Sequence, residues 1–211
     1  MNGHMKPADI EKRSFAIITE ELGGRTFPES VAEVVKRVIH TSADFDYADN
    51  LCFSPDAVEQ AKAALEAGAT IVTDTNMALA GISKPTLAKL GGKAVCLMAD
   101  EDVAREARTR GVTRATVSME HAAKLDGPLI FAIGNAPTAL IRLHELIREG
   151  AVSPALVIGV PVGFVNVVES KELFIGGDTP YIIARGRKGG SNVAAAIVNA
   201  LLYQIVKREG F

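Results

Sequence analysis

The chain has 211 residues, with 23 Lys+Arg against 25 Asp+Glu and a formal net charge of -2. That balance excludes a generally basic nucleic-acid binder and an acidic disordered tail. Hydrophobic residues make up 48% and charged residues 23%, enough apolar surface for a core without staples. Aromatics are only 5% and Trp is absent, so stacking platforms for single-stranded nucleic acid are not expected.

The N-terminal segment MNGHMKPADIEKRS lacks the apolar stretch of a secretory signal. His4 lies within it and carries no argument. Residues 1–50 read as two helices without a strand. Pro7 opens the first, through KPADIEKRSFAIITEELGG. Thr26-Phe27-Pro28-Glu29 opens the second as a capping box, with Thr26 the expected N-cap and Glu29 three residues on.

From residue 51 the pattern changes. Continuous apolar runs at 70–74, 94–98, 114–119, 128–134, 155–160 and 181–186 predict strands buried on both faces. Helical stretches separate them at 54–68, 100–111, 135–150 and 191–210, several opening on Ser, Asp or Asn and ending at Gly. This alternation predicts a three-layer α/β/α sandwich around a mostly parallel sheet, with a helical N-terminal segment. No linker or repeat divides the chain. It reads as one domain over 1–211, with segment 1–50 laid on an α/β body of 51–211. The run from Val193 to Val206 carries Asn199 and Gln204 and reads as a core helix, so no membrane span is expected. Cys52 and Cys96 form no CxxC pair, which suits two free thiols in a reducing cytoplasm.

Ligands of open α/β sheets bind beyond the carboxyl ends of the strands. The polar loops there are 73–77, 134–138, 159–164 and 185–192. In the last, Arg185, Arg187 and Lys188 precede two glycines, and Ser191 begins a helix. Glycine admits close backbone approach and a helix N-terminus favours anions. The loop reads as a carboxylate or phosphate site, or as a solvated basic turn. Asn135 in GNAPT is a plausible N-cap. The glycine fingerprints of nucleotide sites, G-x-x-x-x-G-K-[ST] and G-x-G-x-x-G, do not follow any of these strands. His121 and His144 have no metal-ligand spacing, so no protein-bound metal is expected. His121 reads as the start of a helix and His144 as mid-helix.

His40 ends the segment ESVAEVVKRVIH. Val31, Val35, Val38 and Ile39 form its apolar stripe, and Arg37 and His40 are i, i+3 neighbours on the other side. Histidine titrates near neutral pH, so beside an arginine it suits general acid or base work, or it simply caps the helix end. Ser14 faces the apolar side of the first helix, where its hydroxyl needs a backbone or ligand partner.

Across these residues the chain resembles the precorrin-8X methylmutase family of cobalamin biosynthesis. The resemblance runs from about Ile10 to Leu201. It is carried by EKRSFAII (11–18), RVIHTSADFDY (37–47), FSPDAVEQAKAALEAGATIVTDTNM (53–77), AIGNAPTAL (132–140), GVPVGFVNVVESKE (159–172) and ARGRKGGSNVAAAIVNAL (184–201). It implies an intramolecular methyl migration from C-11 to C-12 of a corrin-type ring, giving hydrogenobyrinic or cobyrinic acid. It implies His40 as the catalytic histidine, with Ser14 and Arg37 at substrate-contacting positions. It further implies a homodimer without a separate organic cofactor.

A flat macrocycle fringed with carboxylates needs a wide cleft with cations at the rim. Arg37 would pair one carboxylate bidentately, and Arg187 with the 189–191 turn would hold another. Asn135 completes the expected substrate-binding set. His40 as imidazolium would protonate or hydrogen-bond a ring nitrogen and ease a [1,5] sigmatropic shift. Two other readings stand beside this one: a non-catalytic tetrapyrrole carrier and a nucleotide-dependent α/β enzyme.

Overall fold

The computed structural model describes residues 7–207. In chain order the elements are α1 (Pro7–Leu22), α2 (Glu29–Ser42), α3 (Tyr47–Asn50), β1 (Leu51–Phe53), α4 (Ala57–Glu66) and β2 (Thr70–Thr73). Then come α5 (Asn76–Gly81), α6 (Lys84–Lys89), β3 (Lys93–Val95), α7 (Glu101–Arg110), α8 (Arg114–Ala122) and β4 (Leu129–Ile133). The last are α9 (Pro137–Arg148), β5 (Leu156–Gly159), α10 (Val167–Glu172), β6 (Tyr181–Ala184) and α11 (Ser191–Ile205).

The strands form one sheet in the order β1-β6-β5-β4-β2-β3. All neighbours run parallel except β1, which pairs antiparallel with β6. The four inner strands are buried along their whole length, as their unbroken apolar runs require. Side chains alternate between two cores. Ile130 and Ala132 of β4 face one, while Phe131 and Ile133 face the other. The first core is closed by α2, α4 and α11, and the second by α8 and α9. The three expected layers are present.

Helix α11 is apolar on nearly all sides, and nine of its residues are buried. A helix of that kind must be covered all round. Helix α2 supplies part of the cover with Val34, Val35, Val38 and Ile39, all buried. Each such side chain contributes roughly 1.5–3 kcal/mol by leaving water. The N-terminal helices are therefore part of the first core.

Three sequence expectations change. The segment 114–119 is helix α8, not a strand. Thr113 caps it, accepting the Thr116 N–H at 3.1 Å, and the buried Ala115, Ser118, Met119 and Ala122 follow a helical spacing. Thr26 caps nothing: α2 starts at Glu29 with extended Pro28 as N-cap and no side-chain cap bond. Proline holds the residue before it extended, which places Thr26 two positions too early. Strand β3 ends at Val95, and Leu97–Ala99 form a 3₁₀ turn. Strand β1 and helices α3, α5, α6 and α10 were not anticipated. Of the expected helix 191–210, α11 ends at Ile205, and residues 208–210 lie outside the described residues.

Candidate active site

Strand order reverses between β2 and β4. The chain steps outward from β2 to β3, then returns to β4 on the other side. Parallel sheets hold their ligands at the carboxyl ends of such a pair. Asp74, directly after β2, is 1% exposed. Its carboxylate accepts the backbone N–H groups of Gly134 at 2.9 Å, Asn135 at 2.8 Å and Ala136 at 2.6 Å. Burial pushes the Asp74 carboxyl above its ordinary range, and these three donors oppose that rise. The N-cap of α9 is Ala136, so Asn135 is not the cap. Its backbone N–H goes to Asp74, and the residue is exposed at the sheet's carboxyl edge.

The loop before α11 seats on the same edge. A Cβ at Gly134 would come within 2.7 Å of the Ser191 Cα, and one at Gly189 would strike the Val160 carbonyl. Only glycine allows this approach. The Ser191 and Thr75 hydroxyls are 2.7 Å apart, which joins the start of α11 to the end of β2. Arg187 places its guanidinium carbon 5.4 Å from the Phe164 ring centroid. Phe164 is 81% exposed, and Val162, Val165 and Met77 are also exposed at these loops. Lys188 reaches Asp44 and Asp46 at 2.6 Å each. Those two carboxylates raise the lysine's pKa, and Lys188 holds Asp44 below its ordinary range.

Asp44 follows the end of α2, where His40 and Arg37 lie. His40 is exposed in the last turns of the helix. Its ring centroid is 5.4 Å from that of Phe15 on α1. The Arg37 guanidinium sits 4.6 Å from the same Phe15 centroid and 5.4 Å from that of Tyr203. It also pairs with Glu11 at 2.6 Å. Arg37 and Thr41 line a groove of about 310 Å³ together with Asn192, Asn199 and Tyr203 of α11. Ser14 stands next to Phe15, and its hydroxyl donates to the Ile10 carbonyl at 2.9 Å.

The structure thus brings His40 and Arg37 onto one aromatic ring and ties the Arg187 loop to the end of their helix through Lys188, while Ser14 precedes Phe15 in α1 with its hydroxyl turned to Ile10. No hydrogen bond or ion pair among the described residues links Asn135 or Arg187 to His40. Sequence reasoning missed Phe15, Asp74, Tyr203 and Lys171. A buried acid or lysine leaves a signal only through its contacts, and those come from distant segments. His121 is in the last turn of α8, not at a helix start, with Glu106 at 2.9 Å. His144 lies within α9, edge-on to Phe174. Among the described residues, no group of three or more His, Cys, Asp or Glu side chains is placed to hold a metal ion. Cys52 and Cys96 are free. No described helix is long and apolar enough to cross a membrane.

The precorrin-8X methylmutase family matches residues 9–204. A cobalt-precorrin-8 methylmutase of Salmonella typhimurium is 48% identical over 95% of this chain and 96% of its own. A cobalt-precorrin-8 methylmutase of Priestia megaterium is 45% identical over 93% of this chain and 88% of its own. A precorrin-8X methylmutase of Pseudomonas aeruginosa is 42% identical over 91% and 93%. The crystal structure of precorrin-8X methyl mutase from Thermus thermophilus superposes with a TM-score of 0.85 at 41% identity, covering 92% of this chain and 94% of that one. With the family's fold and a match over nearly its whole length, this chain belongs to the precorrin-8X methylmutases, methyl-shifting isomerases of cobalamin biosynthesis.

Proposed function

We propose that this chain moves a methyl group from C-11 to C-12 of precorrin-8X or cobalt-precorrin-8, with His40 as the general acid. The product is hydrogenobyrinic or cobyrinic acid. The observation that supports this most is the shared ring: Phe15 stacks with exposed His40 and lies under Arg37, beside a groove of about 310 Å³. An imidazole and a guanidinium held on one ring suit an acid beside a carboxylate-binding cation.

His40, as imidazolium, donates its proton to a nitrogen of the macrocycle. Electron density is drawn from the conjugated system. The C-12 bond to the methyl carbon forms as the C-11 bond breaks, in a [1,5] shift. Substrate and product are isomers, so the proton that His40 lends is recovered. No nucleophile enters. Arg37 keeps N–H donors for a substrate carboxylate while Glu11 holds one edge of it. Arg187 binds a second carboxylate from the opposite loop. Ser14 and Asn135 belong to this reading as substrate contacts, Ser14 with its proton already directed to Ile10 and an oxygen lone pair left to accept. Cobalt, where present, arrives inside the substrate. The reading includes a cytoplasmic homodimer that binds no nucleic acid.

The test is single-turnover conversion of precorrin-8X and of cobalt-precorrin-8, followed by absorption. Removing a general acid typically costs about 10²–10⁴-fold, so His40→Ala should slow the shift by that range while binding product normally. An unchanged rate in folded His40→Ala overturns the acid role. Binding without turnover by the wild type makes the protein a tetrapyrrole carrier.

A further inference from the structure

The loop after β6 presents Arg185, Arg187 and Lys188 to solvent, yet its backbone closes on a fourth cation. Lys171 of α10 is 0% exposed. Its ammonium donates to the Gly186 carbonyl at 2.8 Å and to the Lys188 carbonyl at 2.9 Å. The Arg187 carbonyl between them accepts the Gly163 N–H at 3.2 Å. Three consecutive carbonyls are therefore held from within. Among the described residues no carboxylate pairs with Lys171. Glu172, next to it, reaches Arg185 at 3.4 Å instead.

A buried charge without a counter-ion is expensive, and desolvation lowers the Lys171 pKa to about 8. An apolar residue would avoid that cost but would orphan both carbonyls. What the lysine gains is a fixed backbone. With carbonyls 186–188 pinned, Arg187 is directed over Phe164, and Lys188 towards Asp44 and Asp46.

We propose that Lys171 is a positioning residue for substrate binding, whose buried ammonium fixes the 186–188 backbone so that Arg187 meets a substrate carboxylate. This rests on the reading of Arg187 as a carboxylate contact.

A double-mutant cycle tests it, reading the Kd for cobyrinic acid by absorption titration and KM and kcat by turnover. In the wild type, Arg187→Ala should weaken binding about tenfold, the size of one charged hydrogen-bonded contact. Lys171→Gln, which keeps an N–H donor without the charge, should raise Kd and KM by a similar factor and leave kcat within about twofold. In the Lys171→Gln background, Arg187→Ala should cost nothing further, because coupled residues are not additive. Lys171→Arg, which can donate to both carbonyls, should restore the dependence on Arg187. Equal cost of Arg187→Ala in both backgrounds overturns the positioning role and leaves the carboxylate contact standing. No cost of Arg187→Ala in the wild type overturns the contact itself, and the role of Lys171 with it. If Lys171→Gln does not fold, Lys171→Met takes its place in the cycle: loss of the Arg187 dependence in that background supports the role, and an undiminished cost of Arg187→Ala overturns it.

Discussion

The Lys188 ammonium lies 2.6 Å from the Asp44 carboxylate, so the loop before α11 is fastened to the turn that ends α2. The two residues are 144 positions apart. The fastening sets the Arg187 loop against the helix that carries His40 and Arg37.

The bridge is solvent-exposed on the Lys188 side, so its effect on stability should be small. Its signature is in titration. Lys188 lowers the Asp44 pKa. A lowered folded value means the contribution is present above the unfolded pKa and is lost as pH falls through the folded one. The Asp44 carboxyl should titrate below its ordinary 3.8 in the wild type and return towards that value in Lys188→Ala. Carbon-detected NMR across pH 2–6 reads this, and an unchanged Asp44 titration would show that the pair does not persist in solution.

Phe15 should matter to catalysis more than to folding. It is half-buried and supports both His40 and Arg37. Phe15→Ala removes the surface on which the two are aligned. Misplacement by about 1 Å costs on the order of 10²-fold, so kcat/KM should fall about ten- to a hundredfold, with His40 and Arg37 themselves intact. Steady-state kinetics measure it. Full activity in Phe15→Ala would mean that the ring contact does not orient His40 for turnover.

Gly189 faces backbone, not a side chain that can swing away. A Cβ there meets the Val160 carbonyl. Gly189→Ala should destabilise by about 1–3 kcal/mol, the usual cost of overpacking, and should weaken corrinoid binding by lifting the loop. Gly24→Ala is the control, since nothing lies within 4 Å of its Cβ. Urea unfolding compares them, and equal midpoints would contradict the close approach at Gly189.

Lys171 makes stability depend on pH in a particular sense. Its folded pKa is about 8 against an ordinary 10.5. Between those values the unfolded chain holds the extra proton, so stability rises with pH as the buried charge is lost. The neutral amine still carries two N–H groups for Gly186 and Lys188. Below about pH 8 the destabilising effect is fully present. Thermal melts of wild type and Lys171→Met should therefore diverge in favour of the wild type from pH 8 to 10. Parallel curves would show that Lys171 is not buried as a charge.

The periodicity of the chain was enough for the body of the fold. Runs such as LIFAI in β4 and LVIG in β5 are apolar at every position, as suits a strand covered on both faces. The same reasoning misplaced 114–119, because short apolar runs do not separate strand from buried helix and the deciding cap, Thr113, stands outside the run. Strand β1 has three residues, too few to show a period, and it exists because β6 offers an edge to pair with.

By itself the sequence determined the layered α/β architecture, the helix that carries His40, its i, i+3 partner Arg37 and the basic loop around Arg187. These are local properties of spacing and composition. Only the tertiary structure decided that Phe15 of α1 would lie against His40 and Arg37, that Asp74 would hold three amides some 60 residues away, and that Lys171 would be buried under the 186–188 carbonyls. The reason is physical. A buried charge is acceptable only where other segments bring it hydrogen-bond partners, and which segments do so follows from sheet order and helix packing, not from the neighbours along the chain.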